Sequence, residues 1–193
     1  MILLVRHGET TWNLERRFQG RRDSPLTERG RRQAEAMAGL VRDVVRREPG
    51  AWRLVTSPLG RARDTAGAIA AATGLTLEVD DRLMEIDCGE WEGLTWAEVS
   101  AGREASSRHW IFDAPGGETH EDVQARIEDF LASLPPEPER RVVVVSHGAA
   151  GRVLRGVYVG LAREAMLDLD VPQDAVHRLQ NGQIDRFDCE PVE

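Results

Sequence analysis

The 193 residues include 33 acids and 25 bases, for a formal net charge of −8, and 41% are hydrophobic. This balance excludes a wholly disordered or fibrous chain, and a chain of this length buries a sizeable core without disulfide or metal staples. Net acidity argues against nucleic-acid or anionic-membrane partners, which need a basic face; every base is arginine, which also removes lysine Schiff-base and P-loop chemistry.

Strand and helix patterns alternate, which predicts an α/β fold with a largely parallel sheet. The first strand is Ile2 to Val5. Thr27 is the expected N-cap of a helix running to about Arg47, with Ala34, Met37, Ala38, Val41, Val44 and Val45 at helical spacing. A strand from Trp52 to Thr56, an Ala-rich helix from Leu59 to Thr73 and a short strand from Thr76 to Val79 follow. The stretch from Ile86 to Gly117 has little regular pattern and reads as a partly helical excursion over one end of the sheet. A helix is expected over Glu121 to Leu134, and Pro135 to Glu139 forms a stiff turn. Four consecutive valines, Val142 to Val145, read as a strand buried on both faces. The next helix spans Gly148 to Val159, and Val176 to Phe187 reads as a hairpin turning on Asn181-Gly182. There is no repeat and no long linker, so one domain over 1–193 is expected, with a lid-like excursion at about 86–118. Cys88 and Cys189 form no C-x-x-C, which fits a reducing compartment. The apolar start, Met1 to Val5, is too short for a signal peptide, and a cytoplasmic location is expected.

Three of the strands end alike. Ile2 to Val5 runs into Arg6-His7-Gly8, Val142 to Val145 into Ser146-His147-Gly148, and Leu54-Val55 into Thr56-Ser57-Pro58 with Arg61 just beyond. Ligands of open parallel sheets bind outside the carboxyl ends of the strands, so these side chains should converge. Two guanidinium forks and two imidazoles suit a tetrahedral oxyanion, most simply phosphate. Gly8 and Gly148 are expected to allow a sharp exit and close backbone approach to that anion. A metal at His7 and His147 is disfavoured, because the neighbouring arginines oppose a cation.

The residues also carry a resemblance. Leu4-Val5-Arg6-His7-Gly8-Glu9-Thr10, then Trp12-Asn13, Gln19-Gly20 and Asp23 to Gly30, resemble the histidine phosphatase superfamily, the phosphoglycerate mutase-like proteins. Ser57 to Ala62 resembles its second phosphate-binding block, Leu83 to Gly93 its acid-donor block, and Ser146-His147-Gly148 its closing motif. Five ordered blocks cover most of the chain. The departures are Asp64, Cys88 and Ala149. The resemblance implies a three-layer α/β/α fold with a mostly parallel central sheet. It makes His7 the nucleophile that becomes a phosphohistidine, with its other ring nitrogen donating to a backbone carbonyl. Arg6, Arg61 and a charged His147 would hold phosphoryl oxygens, with Asn13, Gln19 and Gly148 lining the phosphate or substrate pocket. Glu85 would protonate the leaving alkoxide and then take a proton from water. No metal or other cofactor is implied.

The expected activity is hydrolysis of a small-molecule phosphomonoester. The rivals are a cofactor-dependent phosphoglycerate mutase and a non-catalytic phospho-ligand or protein-binding member of the same fold. Arg16, Arg17, Arg21 and Arg22 read either as a solvated face paired with Glu15 and Asp23 or as a grip on a second anionic group. His109, His120 and His177 are expected at the surface or in local bonds, and Trp91, Trp96 and Trp110 in a lid core. Glu118 is expected to bond back to the lid or His147, or to precede an N-cap at Thr119.

Overall fold

The computed structural model describes residues 1–101 and 109–190, with the backbone alone at 109 and 110. Six strands form one sheet in the order β3-β2-β4-β1-β5-β6. β1 (Ile2–Arg6), β4 (Val142–Ser146), β2 (Arg53–Thr56) and β3 (Leu77–Val79) run parallel, while β5 (Ala175–Gln180) and β6 (Gln183–Asp188) add an antiparallel hairpin at the β1 side. The hairpin turns at Asn181 and Gly182, both with positive φ, as an Asn-Gly type I′ turn requires.

The valine run shows why the sheet has two covered faces. Side chains alternate along a strand, so Val143 and Val145 join Leu3, Val5, Met37, Val41 and Ile69 in one apolar cluster. Val142 and Val144 join Ile2, Leu4, Val123, Ile127 and Leu154 in the other. Helices α2 (Glu28–Arg47) and α3 (Gly60–Thr73) supply the first cluster; α5 (His120–Ala132) and α6 (Gly148–Val159) supply the second. The result is the expected three-layer α/β/α architecture. Thr27 caps α2 by accepting from Gly30 N at 2.9 Å, and α2 ends at Arg47 as its periodicity predicts.

Two short helices escaped the sequence pattern, α1 (Thr11–Leu14) and α7 (Arg163–Asp168), while α4 (Trp96–Ser100) is a helical part of the expected excursion. Each is too brief to display a 3.6-residue period, but α1 and α4 carry capping boxes at Thr10/Asn13 and Thr95/Glu98. Within 86–118, Gly89–Trp91 and His109–Phe112 form 3₁₀ turns. Part of that excursion, 102–108, lies outside the described residues. No described helix is long and apolar enough to cross a membrane.

Candidate active site

The register of the sheet builds the site. Arg6 stands opposite Ser146 and Thr56 opposite Val145, so the exits of β1, β4 and β2 lie side by side. His7 N donates to Ser146 O at 3.1 Å, and Ser57 N donates to Val145 O at 3.0 Å, carrying the alignment one residue past each strand. The His7 and His147 rings, 140 positions apart in the chain, come to 5.2 Å between centroids.

Two contacts fix the His7 tautomer. Nδ1 lies 2.8 Å from Gly8 O, an atom that can only accept, so Nδ1 carries the proton. Arg61 Nε, which can only donate, lies 3.2 Å from Nε2. Nε2 therefore holds a lone pair. Burial, reinforced by the charges of Arg61 and Arg6, keeps the imidazole well below the ordinary histidine range and hence neutral.

Arg61 opens α3 and is 2% exposed. Its Nη1 donates to Arg22 O at 2.7 Å and Asp23 Oδ1 at 3.0 Å, and Nη2 donates to Gly20 O at 2.8 Å. Asp23 has a second task. Leu59 has no capping side chain, and Asp23 Oδ2 accepts from Gly60 N at 2.6 Å, capping α3 from another segment. Sequence reasoning passed over this role because the partners are 37 residues apart. Arg6 donates through Nη1 to Val171 O, while its buried Nε has no partner among the described residues. Burial, and to a lesser extent the charges of Arg152 and Arg61, lower its guanidinium to about 10, against the opposing pull of Glu85.

Glu85 sits at the N-terminus of α6. Its carboxylate accepts from Ala150 N at 2.9 Å, Ala149 N at 3.2 Å and its neighbour Ile86 N at 3.1 Å. Arg126 steadies the loop from below, donating to the carbonyls of Arg82, Met84 and Glu85 while pairing with Glu118. Glu118 also accepts from Asp87 N at 3.0 Å, so it ties back to the 86–118 segment rather than to His147, and Thr119 caps α5 as expected.

His147 corrects one expectation. It was expected to be charged; burial, then the charge of Arg61, holds it well below the ordinary histidine range, so its ring is neutral here. Its Nε2 lies 2.7 Å from Ser57 Oγ, and its buried Nδ1 has no partner among the described residues. Among the described residues four buried side-chain atoms have no partner, and Arg6 Nε and His147 Nδ1 are two of them, both at this edge of the sheet.

A cavity of about 150 Å³ opens here, lined by Arg6, His7, Asn13, Gln19, Arg61, Glu85 and Gly148 among others. His147 lines instead a smaller cleft behind Arg6, about 20 Å³, together with Gly148. Asn13 Oδ1 is held by Thr10 N at 3.1 Å and Gln173 Nε2 at 2.9 Å, and Gln19 Oε1 accepts from Thr10 Oγ1 at 3.0 Å. Gln173, which also donates to His7 O, carried no sequence signal. The expected reason for Gly8 needs correcting: a Cβ there would strike the backbone of Gly30, so its missing side chain serves α2 rather than an anion.

The outlying residues divide. Arg21 pairs with Glu118 and Asp87, Arg22 with Glu92, and Arg17 with Glu15, the last as the solvated-face reading expected; Arg16 and Arg17 also line a cleft of about 360 Å³ beside the cavity. His120 and His177 are both buried, not at the surface; His177 lies 3.0 Å from Arg155 Nη1, and His120 meets the Phe112 ring edge-on. Trp91 is core, but Trp96 is 40% exposed, stacked on Phe18 and lining the cleft. The side chains of His109 and Trp110 lie outside the described residues.

A family model, the histidine phosphatase superfamily (branch 1), matches residues 2–186. The chain belongs to that superfamily. It is 39% identical over 160 residues to the glucosyl-3-phosphoglycerate phosphatase of Mycobacterium tuberculosis, covering 76% of this chain and 70% of the relative. It is 37% identical over 193 residues to a probable phosphoglycerate mutase of Salmonella paratyphi C, covering 97% and 84%. Among solved structures, the mycobacterial glucosyl-3-phosphoglycerate phosphatase complexed with VO3 superposes with a TM-score of 0.77 at 30% identity, covering 98% of this chain and 99% of that one. A putative alpha-ribazole-5'-P phosphatase from Escherichia coli gives 0.77 at 25% identity, covering 98% and 95%.

Proposed function

We propose that this chain hydrolyses phosphomonoesters of small metabolites through a phosphohistidine at His7 Nε2. The observation that carries this reading is the fixed tautomer of His7. Its lone pair lies on the nitrogen that faces Arg61, in a cavity shared with Arg6 and Glu85.

In the first step the Nε2 lone pair forms an N–P bond while the ester P–O bond breaks, and the departing alkoxide takes a proton from Glu85. In the second, water attacks phosphorus, Glu85 takes its proton, and the N–P bond breaks. Arg6 and Arg61 carry the charge on the phosphoryl oxygens, and each such donor is worth on the order of 3 kcal/mol at the transition state. Arg61 Nε, bonded to His7 in the free enzyme, turns to a phosphoryl oxygen as substrate arrives. With Ser57 Oγ–H donating to Nε2 of His147, Nδ1 keeps its proton and donates to the same group; Asn13, Gln19 and Gly148 shape the remainder of the pocket. The three layers act as one domain, with 86–118 as the lid over the cavity and a cytoplasmic setting.

Hydrolysis of p-nitrophenyl phosphate by the wild type, lost in a folded His7→Ala variant, tests this reading. Turnover by that variant at the wild-type rate contradicts it. The similarity to a probable phosphoglycerate mutase supports a second reading. Interconversion of 3- and 2-phosphoglycerate faster than phosphate release would favour it.

A further inference from the structure

Glu85 stands on a loop that regular structure does not hold. Residues 84–88 belong to neither helix nor strand and lie between two 3₁₀ turns, Asp81–Leu83 and Gly89–Trp91. Side chains fix this loop instead. Four consecutive carbonyls, those of Arg82, Leu83, Met84 and Glu85, accept from side chains: Leu83 O from Ser146 Oγ at 2.9 Å, and the other three from Arg126.

Arg126 reaches the loop from α5. A guanidinium has five N–H groups, and all five of Arg126 find an acceptor. Nη1 donates to Arg82 O at 2.6 Å and Met84 O at 2.8 Å. Nη2 donates to Glu85 O at 3.3 Å and Glu118 Oε2 at 3.1 Å, and Nε donates to Glu118 Oε1 at 3.0 Å. A planar fork with every donor engaged has one orientation, so it fixes the backbone that carries Glu85.

Glu118 extends this brace to the opposite wall of the cavity. Its side chain is 15% exposed. Besides Arg126, it meets Asp87 N at 3.0 Å and Arg21 Nη2 at 3.1 Å. Arg21 stands between Gly20 and Arg22, whose carbonyls hold the Arg61 guanidinium. One largely buried carboxylate therefore joins the loop that orients Arg61 to the loop that carries Glu85. Neither Arg126 nor Glu118 is among the described residues that line the cavity, so both act through others.

We propose that Arg126 and Glu118 are positioning residues for the general acid: the pair sets the reach of the Glu85 carboxyl to the leaving oxygen, and so serves proton delivery more than phosphoryl binding. This rests on the proposed phosphatase reading, with Glu85 as the acid. A positioned acid contributes about 10²–10⁴-fold, and a misplacement of about 1 Å costs on the order of 10²-fold.

The test compares kcat/KM for two esters of similar size, p-nitrophenyl phosphate and p-nitrobenzyl phosphate. The phenolate leaves readily without a proton; the benzylic alkoxide does not. Because kcat/KM covers steps only up to cleavage of the P–O bond, the later role of Glu85 toward water does not enter. Glu85→Gln sets the reference and is expected to lose p-nitrobenzyl phosphate about 10²-fold more than p-nitrophenyl phosphate. Arg126→Gln is expected to show the same bias on the order of tenfold, and Glu118→Gln a smaller one of about threefold. Arg126→Lys keeps the charge without the five-donor fork and is expected to retain most of the bias. Each bias is a ratio within one preparation, so partial unfolding does not distort it, and Glu118→Gln and Arg126→Lys carry the comparison if Arg126→Gln does not fold. Equal losses on the two esters in these variants, with the bias present in Glu85→Gln, reduce the pair to structural support and overturn this inference alone. No bias in Glu85→Gln overturns the acid assignment and the inference with it. A wild type that hydrolyses neither ester overturns the phosphatase reading as well.

Discussion

Gly8 and Gly30 stand back to back. A Cβ on Gly8 would lie 2.2 Å from the carbonyl oxygen of Gly30, and one on Gly30 would lie 2.0 Å from that of Glu9. The first turn of α2 therefore presses directly on the strand exit that carries His7, and Thr27 N seals the contact by donating to Glu9 O at 2.8 Å. Backbone meets backbone, so neither side can yield as a flexible side chain would. Gly30→Ala is expected to lose about 1–3 kcal/mol of stability, the range for overpacking, and activity with it. Gly148 differs: a Cβ there meets Arg6 and Glu85 at an ordinary 3.6 Å. Gly148→Ala is expected to keep or raise Tm, since alanine favours the helix, while lowering kcat/KM by crowding the cavity. Thermal melts and p-nitrophenyl phosphate turnover of the two variants separate these effects.

The contrast shows what the sequence disclosed. Strand exits, apolar periods and the Asn181-Gly182 turn are local patterns, and α2 ends at Arg47 where its pattern stops. Parallel pairing then brings Arg6, His7, Arg61 and His147 together, because their strands and helices share one edge; Glu85 stands in a loop, and only the family resemblance pointed to it. What stayed hidden depends on side chains meeting across long separations. Asp23 capping α3, Ser57 bonding His147 and Arg126 supporting Glu85 leave no periodic trace. The charge of His147 was misjudged because burial, invisible in a string of letters, and then the neighbouring charge of Arg61 both disfavour the imidazolium.

Asp23 couples fold to site. Asp23→Ala removes the cap of α3, worth about 1 kcal/mol, and frees the Arg61 guanidinium that Asp23 holds at 3.0 Å. A drop in kcat/KM on the order of 10²-fold is expected from the misplaced fork. Asp23→Asn keeps a capping acceptor and should restore most of the stability but less of the activity. Equal activity in all three proteins would show that Arg61 needs no such anchor.

Ser57 is fully buried and shares a 2.7 Å hydrogen bond with His147 Nε2. Ser57→Ala leaves that nitrogen without its partner, and a loss of about tenfold in kcat/KM is expected, equivalent to one ordinary hydrogen bond. Ser57→Thr should recover part of it. Steady-state kinetics of the pair, with circular dichroism to confirm the fold, are sufficient.

His177 gives a pH-dependent stability. Burial, then the charge of Arg155, pushes its imidazole down to about 4, against an ordinary value of 6.5. Between those values the unfolded chain binds more protons than the folded one, so stability falls as pH drops from 6.5 toward 4. The span corresponds to roughly 3 kcal/mol. His177→Gln is expected to flatten the decline. Urea midpoints of both proteins at about pH 7 and about pH 5 check it; parallel declines would show that other groups govern the acid limb.

Rapid quenching of the enzyme during turnover of a phosphomonoester, followed by identification of the phosphorylated peptide and its ring position, addresses the proposed chemistry without intermediaries. The expected product is an acid-labile, base-stable phosphate on Nε2 of His7, absent from His7→Ala. Continued hydrolysis with no phosphate on His7, or with phosphate on another residue, would contradict it.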